Sequence, residues 1–393
     1  MTEVVFVSAV RSAIGTFGGA LAGESPCSLG AAVVREALAR AGVEGEQVGH
    51  VVFGNVIQTE PRDAYLARVA ALDGGVAKAA PAMTLNRLCG SGAQAIVSAA
   101  QSILLGDAEV AVAGGAEAMS RAPHLLTTGR FGQRMGDTAA VDALVGILTD
   151  PFGNGIMGLT AERVADKWGI GRERQDAFAL ESQRRAARAI GEGRFESQIL
   201  PLEVGRGSRA RSFAVDEHPK PQTTAEDLAN LKPAFRRDGG SVTAGNASGI
   251  NDGAAALVLM SAEAAERGGH RPLGRLVGYA HAGVEPGEMG IGPVPAVRGL
   301  LARTGLAVED FDLVESNEAF AAQALAVSDE LGLDPERVNP NGGAIALGHP
   351  VGATGAILTV KALYELARSG GRRALVTLCI GGGQGIALAL ERL

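Results

Sequence analysis

Repetition within the chain limits its possible folds more than composition does. Ala37-Leu38-Ala39-Arg40-Ala41-Gly42-Val43 returns as Leu300-Leu301-Ala302-Arg303-Thr304-Gly305-Leu306, an offset of 263. Cys89-Gly90-Ser91-Gly92-Ala93 falls opposite His349-Pro350-Val351-Gly352-Ala353, an offset of 260. The apolar run ending at Ala113-Gly114-Gly115 falls opposite the one ending at Cys379-Ile380-Gly381. Matches in one order, at nearly constant spacing and in the same local context, indicate two copies of one α/β unit.

The periodicities fill in each copy. Val4–Val7, Val51–Phe53, Ala82–Leu88 and Glu109–Ala113 read as strands. Arg11–Gly15 reads as a turn-rich loop, and Leu29–Ala41 and Ala64–Leu72 read as helices. In the second copy Phe311–Val314 and Ala374–Cys379 are expected strands, and Ile386–Leu390 returns across a Gly-Gly-Gly turn. The first copy's corresponding return strand, Ala254–Leu259, comes much later in the chain. Residues 121–247 are therefore expected as an insertion, with helices at Thr160–Lys167 and Arg172–Ile190 and a loop-rich stretch from Glu203 to Asp238. The expected units are 1–120 with 248–270, an inserted loop domain at 121–247, and 271–393.

Composition narrows the function classes. The apolar fraction is 46% with few aromatics, so the core must be built from Ala, Val, Leu and Ile. A formal charge of −7 argues against nucleic acid as a partner. Three scattered cysteines make neither a disulfide framework nor a metal-ligand cluster. The start lacks a signal-peptide pattern, the last three residues are not a peroxisomal tripeptide, and no apolar run suits a membrane helix. A cytoplasmic chain with no membrane partner is expected.

Four segments carry chemistry. Cys89 sits in Cys-Gly-Ser-Gly between an expected strand and an expected helix, where unpaired N–H groups favour thiolate. His349 lies in Gly348-His349-Pro350-Val351-Gly352-Ala353-Thr354-Gly355. Cys379 precedes Gly381-Gly382-Gly383-Gln384-Gly385, whose free N–H groups could hold an oxyanion. Ser316-Asn317-Glu318-Ala319-Phe320 follows a strand. Each has a plainer reading: a packed cysteine, a satisfied histidine, a helix cap. Together they offer a nucleophile towards thioesters, an imidazole beside it, a second thiol for carbon acid–base work and oxyanion donors. That combination suits a Claisen-type acyl transfer to carbon.

The Asn-x-x-Cys-Gly-Ser-Gly, Gly-His-Pro-x-Gly-x-Thr-Gly and Cys-x-Gly-Gly-Gly-Gln-Gly patterns resemble the signatures of the thiolase family, and the similarity runs along essentially the whole chain. Gly54–Asp63 and Gly290–Pro295 are similar to the broad-specificity β-ketothiolases of polyhydroxyalkanoate-producing bacteria. The resemblance implies the thiolase fold: two pseudo-equivalent α/β halves in a layered αβαβα arrangement, plus the inserted loop domain. It implies a ping-pong reaction in which Cys89 accepts an acyl group with His349 activating it. Cys379 then exchanges a proton at the α-carbon of acetyl-CoA, whose enolate attacks to give a 3-ketoacyl-CoA. Asn317, through a held water, and His349 would form one oxyanion hole; the N–H groups of Cys89 and Gly381 would form the other. Met157, Leu231, Phe235, Ala244, Ala247 and Ser248 match positions lining a coenzyme A channel. Lys220 matches a basic position near the nucleotide end, and Phe320 an acyl-pocket residue. No metal or resident cofactor is implied; coenzyme A and its thioesters enter as substrates. Short 3-ketoacyl chains (acetoacetyl-CoA, 3-ketovaleryl-CoA) are expected, with a medium- or long-chain degradative thiolase as the alternative. Arg130–Asp137 resembles a tetramer-forming loop, so a homotetramer is expected.

Two positions depart from the family pattern. Ile156 stands where many biosynthetic relatives have histidine beside Met157, which bears on pantetheine contacts. Asp227 stands where serine is common near the nucleotide. A ketoacyl synthase would share the fold and nucleophile, but Cys379 occupies the place of its second catalytic imidazole.

Overall fold

The computed structural model describes residues 2–205, 207 and 210–393. The first half runs β1 (Val4–Ser12), α1 (Pro26–Ala41), β2 (His50–Gly54), α2 (Leu66–Asp73), β3 (Ala82–Leu85), α3 (Ser91–Leu104) and β4 (Val110–Ala118). The chain then leaves through the intervening region, which contains α4 (Met157–Trp168) and α5 (Arg172–Gly191). It returns as β5 (Asn251–Ser261), antiparallel to β4. The second half follows as β6 (Gly274–Gly283), α6 (Pro293–Thr304), β7 (Leu313–Ser316), α7 (Ala321–Leu331), α8 (Thr354–Ser369), β8 (Arg373–Ile380) and β9 (Gln384–Glu391).

The strands lie in the order β7-β8-β9-β6-β1-β5-β4-β2-β3. Apart from the edge strand β3, this order is symmetric about the β1–β6 junction, where Val5 pairs with Arg275 and Phe6 with Gly274. Parallel β2–β4 in one half answers parallel β7–β8 in the other, and the antiparallel pair β4–β5 answers β8–β9. Helix α1 covers the outside of β1 and β5, while α6 covers β6 and β9. Helices α3 and α8 pack against each other between the two half-sheets. The result is a five-layer αβαβα arrangement, the thiolase fold. Strands β4 and β5 are buried along their whole lengths, as strands covered on both faces must be.

The structural repeat refines the alignment. Helix caps Gly305 and Gly42, strand starts Leu313 and His50, helix starts Thr354 and Ser91, and strand starts Arg373 and Val110 all differ by 263. At that spacing Gly352, not His349, falls opposite Cys89. The 260 offset matched similar letters from inequivalent turns.

Other expectations also shift. Strand β1 continues through Arg11 and Ser12, because Ile199 and Leu200 return from the intervening region to pair with them. Gly114 and Gly115 do not end β4. They lie inside it, where a Cβ would come within 2.2 Å of Ala255 O and Gly352 O respectively. The strand expected at Phe311–Val314 begins at Leu313, since Phe311 N still closes a turn onto Val308 O. The helix expected at Ala64 begins at Leu66, after a 3₁₀ turn over Pro61–Tyr65.

Candidate active site

The turn that presents Cys89 is held from both sides. Asn86 Oδ1 accepts from Leu88 N at 2.8 Å, and Ser91 Oγ donates to Leu88 O at 2.7 Å while accepting from Arg87 N at 2.9 Å. Leu88 adopts φ 46°, one of only two non-glycine residues with positive φ among those described. A strained residue fixed by three hydrogen bonds commonly marks a functional turn. Gly90 lets this turn sit on the end of β8: a Cβ there would lie 2.5 Å from Ile380 Cδ1, next to Cys379. Gly381 likewise meets Leu88 and Met157 closely.

Cys89, Cys379, His349 and Gly381 line one cavity of about 250 Å³. Met157, Phe235, Ala247, Ser248 and Phe320, all from the expected substrate set, share its wall. Phe235 and Phe320 meet edge to face with centroids 6.2 Å apart. Lys220, Leu231 and Ala244 do not line the cavity; all three are exposed, with Leu231 packed beside Gly245. Asp227 is occupied locally, capping its own short helix through bonds to Thr224 N and Oγ1. Among the described residues no group of three or more His, Cys, Asp or Glu is placed to hold a metal ion.

The imidazole is oriented by its neighbours. Thr354 Oγ1 donates to Pro350 O at 2.9 Å and lies 2.7 Å from His349 Nδ1. A hydroxyl has one proton; with that proton on Pro350 O, Oγ1 accepts from Nδ1–H and Nε2 keeps its lone pair. Asn317 Nδ2 lies 3.3 Å from that Nε2. Asn317 Oδ1 is buried with no hydrogen-bond partner among the described residues. Burial holds His349 neutral, pushing it down to about 4.

Both active-site thiols are protonated at rest. Burial pushes Cys89 up to about 11, against the opposing pull of the N–H groups of Gly381 and of Cys89 itself; Glu117 adds to the rise. The N–H groups do pull towards thiolate as expected, but desolvation outweighs them. Cys379 is raised as well, first by burial and then by the nearby Cys89. A neutral thiol beside a neutral imidazole with a free lone pair can ionise as an acyl carbon arrives. The two N–H groups that face the Cys89 sulfur suit the oxyanion that forms there.

Several participants escaped the sequence reading. Thr354 lay within the quoted glycine-rich motif, but its role depends on geometry. Met119, Met289 and Val56 also line the cavity. Glu117 is wholly buried and accepts four N–H bonds.

Two thiols, a neutral imidazole and paired N–H donors around one cavity suit cysteine-dependent acyl transfer. The thiolase N-terminal domain family matches residues 4–263, and the thiolase C-terminal domain family matches residues 270–392. The chain is 62% identical to the β-ketothiolase BktB of Cupriavidus necator over 392 residues, covering all of this chain and 99% of that one. It is 52% identical to the acetyl-CoA acetyltransferase of Pseudomonas aeruginosa, with both chains fully covered. Among solved structures, the Bacillus anthracis acetyl-CoA acetyltransferase matches with a TM-score of 0.98 at 50% identity, covering 100% and 99% of the two chains. Human mitochondrial 3-ketoacyl-CoA thiolase in complex with CoA matches at 0.97 and 45%, covering 100% and 98%. The chain belongs to the thiolase family. It is an acyltransferase that joins and cleaves acyl-CoA thioesters, with coenzyme A and its thioesters as substrates.

Proposed function

We propose that this thiolase handles short 3-ketoacyl-CoA esters with broad tolerance, acetoacetyl-CoA and 3-ketovaleryl-CoA foremost. The observation that carries this is the cavity. At about 250 Å³ it falls below the roughly 300–1,000 Å³ usual for ligand pockets. Met119, Met157 and Met289 contribute to its wall, and unbranched thioether side chains adapt to small changes in ligand shape.

In this reading Cys89 takes the acyl group as His349 Nε2 takes its proton. Cys379 gives its proton to the departing coenzyme A thiolate, and the Cys379 thiolate so formed removes an α-proton from the second acetyl-CoA. His349 returns its proton to Cys89 as the enolate displaces that sulfur, and cleavage runs the same steps in reverse. Asn317 with His349 stabilises one oxyanion, and the N–H groups of Cys89 and Gly381 stabilise the other. Met157, Phe235, Ala247, Ser248 and Phe320 surround the reacting end, while Ala244, Leu231 and Lys220 follow the coenzyme outward. The same reading divides the chain into 1–120 with 248–270, 121–247 and 271–393, and makes it a cytoplasmic homotetramer. Support for the assembly comes from the exposed apolar hairpin considered below.

Steady-state thiolysis across 3-ketoacyl-CoA esters of increasing length tests the specificity. The highest kcat/KM should fall at four to five acyl carbons, on the order of tenfold above longer chains. A maximum at eight carbons or more would replace this reading with the degradative long-chain one. Cys89→Ala should abolish acylation by acetyl-CoA, whereas Cys379→Ala should still acylate and fail to condense. Normal condensation by Cys379→Ala would remove it from the mechanism.

A further inference from the structure

Glu117 lies on β4, fully buried, two residues before the cavity-lining Met119. Its carboxylate accepts only from nitrogen. Oε1 takes Asn55 Nδ2 and Ile57 N, both at 3.1 Å; Oε2 takes Val56 N at 3.0 Å and Gly352 N at 2.8 Å. Asn55–Ile57 follows β2 of the first half, and Val56 lines the cavity. Gly352 belongs to the second half, three residues after His349, and its neighbour Val351 also lines the cavity.

The surrounding glycines show how closely the halves meet here. A Cβ on Gly115 would lie 2.2 Å from Gly352 O, and one on Gly54 would lie 2.7 Å from that oxygen. A Cβ on Gly352 itself would lie 2.4 Å from Glu117 Oε2. The loop carrying His349 is thus seated in a trough cleared of side chains, with one carboxylate fastening it. Four N–H donors fill the acceptor sites of an ionised carboxylate and leave a protonated one with a hydrogen facing a donor.

We propose that Glu117 is a positioning residue of acyl transfer, latching the His349 loop of one half to the Cys89 side of the other through its four N–H donors. The inference rests on the roles assigned above to Cys89 and His349. An uncharged amide would make a poor substitute, because only one of its two ends accepts hydrogen bonds. When ionised, the Glu117 carboxylate adds to the rise of the Cys89 thiol that burial causes. Burial pushes this carboxyl up to about 8, against the N–H groups of Ile57, Val56 and Gly352, and Asp63 adds to the rise; Cys89, and His349 along the latched loop, are the other ionisable groups that bear on it.

Glu117→Gln tests the latch in the intact enzyme. The expected result is a kcat for acetoacetyl-CoA thiolysis lower by about tenfold to a hundredfold, with KM within about twofold. The pH profile of Cys89 alkylation by iodoacetamide should move to lower pH, since a neighbouring negative charge is gone. An unchanged kcat, or a loss with an unmoved alkylation profile, would overturn the proposal and leave Glu117 a packing residue. Gly352→Ala disturbs the same contact from the other half and serves if Glu117→Gln does not fold. It should lower kcat while leaving KM near that of the parent; unimpaired turnover would count against the latch. Failure of the Cys89 assignment is separately visible, as retained acylation in Cys89→Ala.

Discussion

Thr354 decides which nitrogen of His349 can act. With its hydroxyl proton on Pro350 O, Oγ1 accepts from Nδ1–H and the imidazole turns the Nε2 lone pair towards the cavity. Removing the hydroxyl while keeping the shape should release the ring to the other tautomer. Thr354→Val is expected to lower kcat by about tenfold to a hundredfold, in the range for lost hydrogen-bond support behind an active imidazole. Thr354→Ser should restore most of it, because the bond is kept. Full activity in the valine variant would show that packing alone orients the ring. The acid side of the profile follows from the same burial. With His349 pushed down to about 4, kcat/KM of the parent should hold its plateau well below the ordinary histidine range while the fold persists. Asn317 complements this switch: Nδ2 serves the neutral Nε2, and a half-turn of the amide would offer Oδ1 to an Nε2–H.

At the scale of elements, the site depends on where α3 and α8 cross. Gly92 and Gly355 face each other there. A Cβ on Gly355 would sit 2.3 Å from Ala93 N, and one on Gly92 would sit 2.6 Å from Ala356 N. Alanine raises helix propensity by about 1 kcal/mol, but both clashes are with backbone, so the helices must separate. Overpacking costs about 1–3 kcal/mol or more, and it should win. Gly355→Ala is expected to lower the melting temperature and kcat together, since α8 starts at Thr354 and α3 starts two residues after Cys89. Gly299→Ala on α6 is the control, with its Cβ 3.6 Å from Ala280, and should be neutral or slightly stabilising. Equal stability of the two variants would dismiss the crossing as a constraint. This crossing also shows what could be read without a structure. The strand–helix units, the Cys89 turn and the His349 and Cys379 loops were legible because glycine, proline and apolar period mark them locally. Gly114 and Gly115 looked like a strand end because the Gly352 loop that needs their missing side chains lies more than 230 residues away. Glu117 was passed over for the same reason: one of its four donors comes from the other half.

The whole molecule is held by charges placed where water cannot compete. Arg11 on β1 pairs with Asp216 at 2.7 Å, both fully buried, and so fastens the intervening region to the first half. Ser182 on α5 donates to the buried Glu318 at 2.7 Å and so fastens that region to the second half. Glu318 in turn accepts from Asn339 and Ile345 N, tying the strand that ends near Asn317 to the approach of the His349 loop. What these bonds leave outside is a hairpin, His124–Leu126 against Ala140–Asp142. It carries Leu125, Leu126, Phe131, Met135 and Val141 outward, with Phe131 94% and Met135 89% exposed. A projecting cluster of this kind is unfavourable in water and fits an interface between copies of the chain. The hairpin leads directly into Ala143–Ile147, and Ile147 and Leu148 line the cavity. Introducing charge at its tip should therefore dissociate the assembly and also alter substrate affinity. Phe131→Asp combined with Leu126→Asp is expected to halve the mass seen by light scattering, from four chains to two, while circular dichroism stays native. KM for acetoacetyl-CoA should rise severalfold as the cavity wall loses support, with kcat changing less because Cys89, His349 and Cys379 are carried by the two halves. A parent enzyme of two chains, or a variant that keeps four, would mean that this hairpin does not build the tetramer.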